Sequence, residues 1–112
     1  MPTGALVDLD VPQGVDLPAW AVPAEPVVAR AALRSLVAAV LRSAGVRASD
    51  ATLSSDVLVL ADARGHPSHG VSRLRQYVRL VESGSVSGQP TPRVISRRAA
   101  LELWDADHAM GP

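Results

Sequence analysis

Apolar positions recur at helical spacing across residues 29–44. Leu33, Leu36, Val37, Val40 and Leu41 fall at i, i+3, i+4, i+7 and i+8, and Arg30, Arg34 and Arg42 lie off that stripe. The spacing predicts a helix, and Gly45 suits the left-handed residue that ends one. A second helix is predicted from Ser49, a good N-cap, with Asp50 in the first turn where the helix dipole favours a carboxylate. Leu53, Val57, Leu60 and Ala61 make its stripe, and Gly65 and Pro67 end it. Ser68 is the natural N-cap of a third helix, with Val71, Leu74, Val78 and Val81 as its stripe, Tyr77 beside them and Gly84 at its end.

Beyond Gly84 the periodicity changes. Gly88, Pro90 and Pro92 make residues 85–92 a loop. Two short strands are predicted next, over 93–96 and 100–104, joined by Arg97-Arg98-Ala99. The second alternates Leu101 and Leu103 against Glu102 and Trp104. An isolated hairpin is marginal in water, so this one needs a sheet to join or a helix face to lie on. The predicted class is mostly α: a small three-helix N-terminal domain followed by a β-hairpin.

Composition divides the 112 residues. Residues 1–27 carry Asp8, Asp10, Asp16 and Glu25 with no basic residue, and Pro2, Pro12, Pro18, Pro23 and Pro26. They read as an acidic, proline-rich extension that is expected to be disordered. It lacks the basic start and apolar run of a signal peptide, and the arginines of a transit peptide. Residues 28–87 form the helical domain, and 88–112 the loop and hairpin. No apolar run reaches the roughly 20 residues of a membrane helix. There is no cysteine, so thiolate metal sites and disulfides are excluded and the expected compartment is the cytoplasm. Net charge is zero, yet seven of the eleven arginines (64, 73, 75, 79, 93, 97, 98) fall between Arg64 and Arg98, with Glu82 the one acid among them.

The chemistry concentrates in Arg64-Gly65-His66-Pro67-Ser68-His69-Gly70, with Arg73 close behind. If Ser68 caps the third helix, His69 and Arg73 stand four apart on one helical face, with Ser68 at its mouth. A helix start attracts anions. Arg73 can take a carboxylate bidentately, and His69 can give or take a proton near neutral pH. The set suits proton transfer at a small 2-hydroxy or 2-oxo acid. Nothing in the chain can hold a hydride acceptor: no Gly-x-Gly-x-x-Gly turn follows a strand, and there is no Walker-type loop. Singly, each residue has an ordinary explanation: a cap, a surface histidine, a solvated arginine. Only the joint spacing taken together with the family resemblance described below reverses that. His66 and His69 could chelate a metal, but Pro67 and the lack of a third ligand argue against it. His108, after Asp105 and Asp107, reads as part of a turn. Asp62 and Arg64 read as ordering the turn and not as meeting substrate.

The run Ala61-Asp62-Ala63-Arg64-Gly65-His66-Pro67-Ser68-His69-Gly70, then Arg73, resembles the N-terminal region of the malate/L-lactate dehydrogenase family. These are NAD(P)-dependent 2-hydroxyacid oxidoreductases that include ureidoglycolate and sulfolactate dehydrogenases and an imine reductase branch, distinct from the Rossmann-fold lactate dehydrogenases. The resemblance runs from Val28 to about Gly111. It includes Leu33-Arg34-Ser35-Leu36-Val37, Tyr77-Val78, Glu82-Ser83-Gly84, Pro92-Arg93-Val94 and Trp104-Asp105-Ala106-Asp107. It implies that Ser68, His69 and Arg73 contact substrate, Arg73 at the carboxylate and His69 near the reacting oxygen. It also implies NAD or NADP as cofactor, a homodimer, and a larger α/β cofactor domain to which the hairpin belongs. A histidine beyond Pro112 is the family's other candidate acid/base, so which histidine moves the proton stays open.

Pro67 stands where an acidic residue is common, and Arg75-Gln76 replaces a common Pro-Arg. The family's cofactor domain continues well past Pro112, so the chain is expected to be a truncated member, inactive alone. Two readings stand against this one. The first is an arginine-rich nucleic-acid-binding module, with the second and third helices mimicking helix-turn-helix; the breaker-rich turn and the lack of interleaved aromatics count against it. The second is a non-catalytic module that docks through the hairpin.

Overall fold

The computed structural model describes residues 27–112. The extension expected over 1–27 thus lies, but for Val27, outside the described residues. The elements are α1 Arg30–Ser43, α2 Ala48–Ala63, α3 Leu74–Glu82, β1 Arg93–Arg98 and β2 Leu101–Asp105, with two short 3₁₀ turns, Pro67–His69 and Val71–Arg73, between α2 and α3. The mostly helical class with an antiparallel hairpin is the one that the residue pattern predicts.

α1 follows its stripe closely. Val37 and Leu41 are fully buried, Leu33 and Val40 are half-buried, and only Leu36 at the margin faces solvent. Its end is a Schellman motif. Gly45 N–H donates to Arg42 O and Val46 N–H to Leu41 O, both at 3.0 Å, with φ of Gly45 at 102°. Leu41 and Val46 bury their side chains together across the turn.

α2 departs from its prediction twice. It starts at Ala48, ahead of the expected N-cap Ser49. Ser49 instead lies inside the first turn and donates its hydroxyl to Asp50 Oδ1 at 3.2 Å. The start is set from a distance: Arg47 N–H donates to Gly88 O at 2.8 Å, and its Nη2 to Pro90 O at 2.9 Å. That tether fixes Arg47 as the residue before the helix and outweighs the local cap signal.

The expected stripe of α2 is also corrected. Leu53 is 61% exposed, Val57 and Leu60 are exposed too, and Ala61 is half-buried. The buried residues are Ala51, Ser54, Ser55, Leu58 and Val59. α2 is apolar on both faces, so periodicity alone could not say which face meets α1. Small residues decide it. Ala51 and Ser55 let α1 approach, Ser54 lies under the end of the chain, and Leu58 and Val59 fill the remaining space. Ser55 donates to Thr52 O at 2.7 Å and Ser54 to Pro112 O at 3.3 Å, so both buried hydroxyls are satisfied. An Arg34–Asp56 ion pair bridges the two helices on the solvent side.

Val37, Leu41, Val46, Ala51, Leu58 and Val59 form the core, and Val71, Leu74, Tyr77, Val81 and Met110 pack onto it. α3 and the end of the chain therefore cover the same helix pair. In the hairpin, Val94 pairs with Trp104 and Ser96 with Leu103, with a bulge at Ile95 between them. The turn is tighter than expected: Arg97 and Arg98 belong to β1, and Ala99-Ala100, with Ala99 at φ 43°, make the connection. Ile95, Leu101, Leu103 and Trp104 are exposed.

Behind the hairpin, Asp107 Oδ2 accepts from Thr91 N–H at 2.8 Å and from the Thr91 hydroxyl at 3.1 Å. These bonds hold the Asp107 carboxyl below the ordinary value of 3.8. Asp107 and His108 both have positive φ in a turn closed by Ala109 N–H to Ala106 O, as expected of a turn leaving a strand.

Candidate functional site

The site begins where α2 stops. Gly65, at φ 79°, adopts the left-handed conformation that a side chain would strain. Its N–H donates to Asp62 O at 3.0 Å and His66 N–H to Ala61 O at 2.9 Å, which makes a second Schellman end. The chain reverses, and Pro67, whose ring pre-sets a helical φ, opens the first 3₁₀ turn. Gly70 then runs extended, at φ −97° and ψ −154°, and separates that turn from the second.

The expected start of the third helix at Ser68 is corrected here. Ser68 lies inside the turn Pro67–His69 and caps nothing; α3 begins at Leu74. The extended Gly70 interrupts what would have been its first turns. The capping work falls to Asp62, nine residues back. Its Oδ2 accepts from Val71 N–H at 2.9 Å, the amide that opens the second 3₁₀ turn. Asp62 thus orders the turn, as the sequence suggested, while Arg64 makes no side-chain hydrogen bond or ion pair among the described residues. With a carboxylate already on that amide, the anion attraction expected of a free helix start does not operate.

Ser68, His69 and Arg73 still meet, by another route. Ser68 Oγ and His69 Nδ1 share a hydrogen bond at 2.9 Å, whose direction is set by the histidine tautomer. Arg73 Nε donates to the Ser68 carbonyl at 2.7 Å, and its Nη1 to Gln76 Oε1 at 3.0 Å. The guanidinium plane is therefore braced at two points. Nη2 makes no bond among the described residues, and the side chain is exposed, which leaves guanidinium N–H donors for a carboxylate. Ser72 reinforces the turn by donating to Pro67 O at 2.6 Å. All three site residues are exposed, so the cluster is an open surface. A cavity of about 190 Å³ lies elsewhere, against Val46, Arg47, Leu53, Pro90 and Met110.

Two participants were not among the candidate site residues. Asp62 acts across nine residues, which no short spacing rule finds. Gln76 was legible in principle, because a glutamine three residues after an arginine on a helix stands beside it. No three His, Cys, Asp or Glu side chains come close enough to hold a metal among the described residues. No described helix is long and apolar enough to cross a membrane.

The chain is similar to known proteins. Malate dehydrogenase of Pyrococcus horikoshii is 43% identical over 79 residues, which are 70% of this chain and 22% of that protein. Its solved structure superposes with a TM-score of 0.70 at 41% identity, covering 73% of this chain and 24% of the other. L-sulfolactate dehydrogenase of Methanocaldococcus jannaschii is 32% identical over 78 residues, 70% of this chain and 23% of its own length. Ureidoglycolate dehydrogenase (NAD(+)) of Escherichia coli K12 is 32% identical over 84 residues, 75% and 24% respectively. The chain thus spans about a quarter of the length of the relatives it matches. The model of the malate/L-lactate dehydrogenase family matches residues 28–112, which include the whole Ser68–Arg73 cluster. The chain belongs to the malate/L-lactate dehydrogenase family.

Proposed function

We propose that residues 28–112 form the substrate side of a nicotinamide-dependent oxidoreductase acting on a small 2-hydroxy acid or its 2-oxo counterpart. One observation carries this reading: Arg73, braced through the Ser68 carbonyl and Gln76, keeps an exposed, unbonded Nη2 next to a hydrogen-bonded Ser68–His69 pair. Its guanidinium takes the carboxylate. The Ser68 hydroxyl bonds the acid's oxygens, and His69 gives or takes the proton at the C2 oxygen. Family membership and relatives named as malate and sulfolactate dehydrogenases support this substrate class.

The described residues do not fit a dinucleotide. The amide opening the second 3₁₀ turn is occupied by the Asp62 carboxylate, whose charge repels a pyrophosphate. NAD or NADP is therefore assigned to polypeptide of the kind that makes up the other three quarters of the relatives. The exposed Ile95, Leu101, Leu103 and Trp104 support placing the hairpin within that larger α/β domain. The homodimer belongs to the same proposal and rests on the family resemblance alone.

A chimera tests the reading. Residues 28–112 replace the matched segment of the Pyrococcus horikoshii enzyme, and malate-dependent reduction of NAD or NADP is measured. The chimera is expected to turn over, and its Arg73→Ala variant to lose roughly 100-fold or more in kcat/KM, the scale of a lost charge-assisted bidentate contact. Equal activity with and without Arg73 would refute the assignment.

A further inference from the structure

We infer that Asp62 is a positioning residue for the acid-binding cluster: its carboxylate sets the turn on which Ser68, His69 and Arg73 stand, without touching the acid. Three observations converge. Asp62 Oδ2 takes the Val71 amide at 2.9 Å, which ties the last turn of α2 to the second 3₁₀ turn. Asp62 also fills the space over Gly70, where a Cβ would lie only 1.8 Å from its Oδ1. Gly70 is buried, although the residues on both sides of it are more exposed. The carboxylate is thus seated between two backbone segments and fixes their separation.

What it fixes is the path from His69 to Arg73. Arg73 reaches back five residues to the Ser68 carbonyl, and that bond closes only if the extended Gly70 folds the second turn against the first. Release of Val71 leaves the Ser72 bond to Pro67 O as the other side-chain tie between the two turns, so the second turn is held less firmly and the guanidinium loses its fixed place at the Ser68 carbonyl beside the Ser68–His69 pair. The carboxylate has a second effect. Because Asp62 occupies the amide that an anion would otherwise seek, an incoming carboxylate is directed to Arg73.

The consequence for ligand binding rests on the proposed function; the consequence for the turn does not. The test uses the intact chain in solution, with isotope labelling to follow the Arg73 Nε–H signal, exchange protection of the Val71 amide, and binding of L-malate. In Asp62→Ala, Val71 protection is expected to fall, the Arg73 Nε–H signal to lose its hydrogen-bonded position, and malate affinity to weaken about tenfold or more. Asp62→Asn keeps an acceptor of the same shape and is expected to restore the Arg73 signal and most of the affinity. Asp62→Glu keeps the charge and a good helix former but carries the carboxylate one methylene too far, so it is expected to behave like alanine.

Signals of Leu41 and Leu58 in the core should stay unchanged in all three variants, which separates positioning from general unfolding. If Arg73 Nε–H keeps its place when Val71 is released, or if Asp62→Asn fails to restore it, the inference is overturned. Should the unaltered chain show no malate binding while the Arg73 signal still follows Asp62, the proposed function fails and the positioning role stands.

Discussion

Gly70→Ala should destabilise the chain although its backbone is not left-handed. At φ −97° and ψ −154° the residue is extended, so the strain that reserves a positive φ for glycine does not apply. The obstacle is Asp62. The new Cβ would stand 1.8 Å from Oδ1, 2.3 Å from Cγ and 2.8 Å from Oδ2, where real contacts begin above 3 Å. One partner must move by more than 1 Å, and either movement breaks the bond from Val71 N–H to Asp62. Loss of a hydrogen bond to a charged group costs about 1.5–3 kcal/mol. For a folded unit of this size, about 2 kcal/mol lowers Tm by roughly 10 °C.

Thermal unfolding followed by circular dichroism and calorimetry measures that shift. A double-mutant cycle then identifies its cause. Asp62→Ala removes the atoms that alanine 70 would strike. The doubly substituted chain should therefore be no less stable than Asp62→Ala alone, and by reducing the freedom of the unfolded chain it should gain about 0.4–1 kcal/mol. Additive losses would refute the reasoning, since the need for glycine at 70 would then lie somewhere other than in the carboxylate above it.

Two further outcomes follow from the packing and the loop. Leu58→Ala should cost about 2–5 kcal/mol, because Leu58 is buried in the core, whereas Leu53→Ala should change stability by no more than about 0.5 kcal/mol; denaturant titration distinguishes this from the reverse ranking that the sequence stripe predicts. Asp107, with its pKa held down by Thr91, contributes stability that is fully present above 3.8 and is lost as pH falls from there through its folded value. Asp107→Asn should flatten that acid limb of the Tm-against-pH curve, and an unchanged limb would remove Asp107 from the account.

Where one face of an element was clearly apolar, the sequence was readable. α1 had a single stripe and a glycine stop, and it folded within a residue of its predicted bounds at each end. The hairpin's two runs were visible, and only its turn was misplaced. α2 was legible as a helix but not in orientation. With Leu53, Val57 and Leu60 on one side and Leu58 and Val59 among small residues on the other, the buried side was chosen by how closely α1 could approach, which is a property of the pair. At Ser68 the local cap signal was genuine and still lost. An extended Gly70 and a carboxylate nine residues away set the chain's path, and neither effect is local. The candidate trio came from its spacing together with the family resemblance, and Asp62 was read as ordering the turn; the bonds through which Asp62 holds Val71 and Gln76 braces Arg73 emerged only from tertiary geometry.

Titration of the intact, isotopically labelled chain with L-malate, and in parallel with succinate, tests the central claim most directly. The open surface and the few charge-assisted bonds available point to a Kd on the order of 1 mM, about −4 kcal/mol. Saturable shifts are expected to be confined to Ser68, His69 and the Arg73 side chain, weaker for succinate, which lacks the C2 hydroxyl, and absent in Arg73→Ala. Shifts spread alike over the surface arginines, equal for the two acids and indifferent to Arg73, would contradict it.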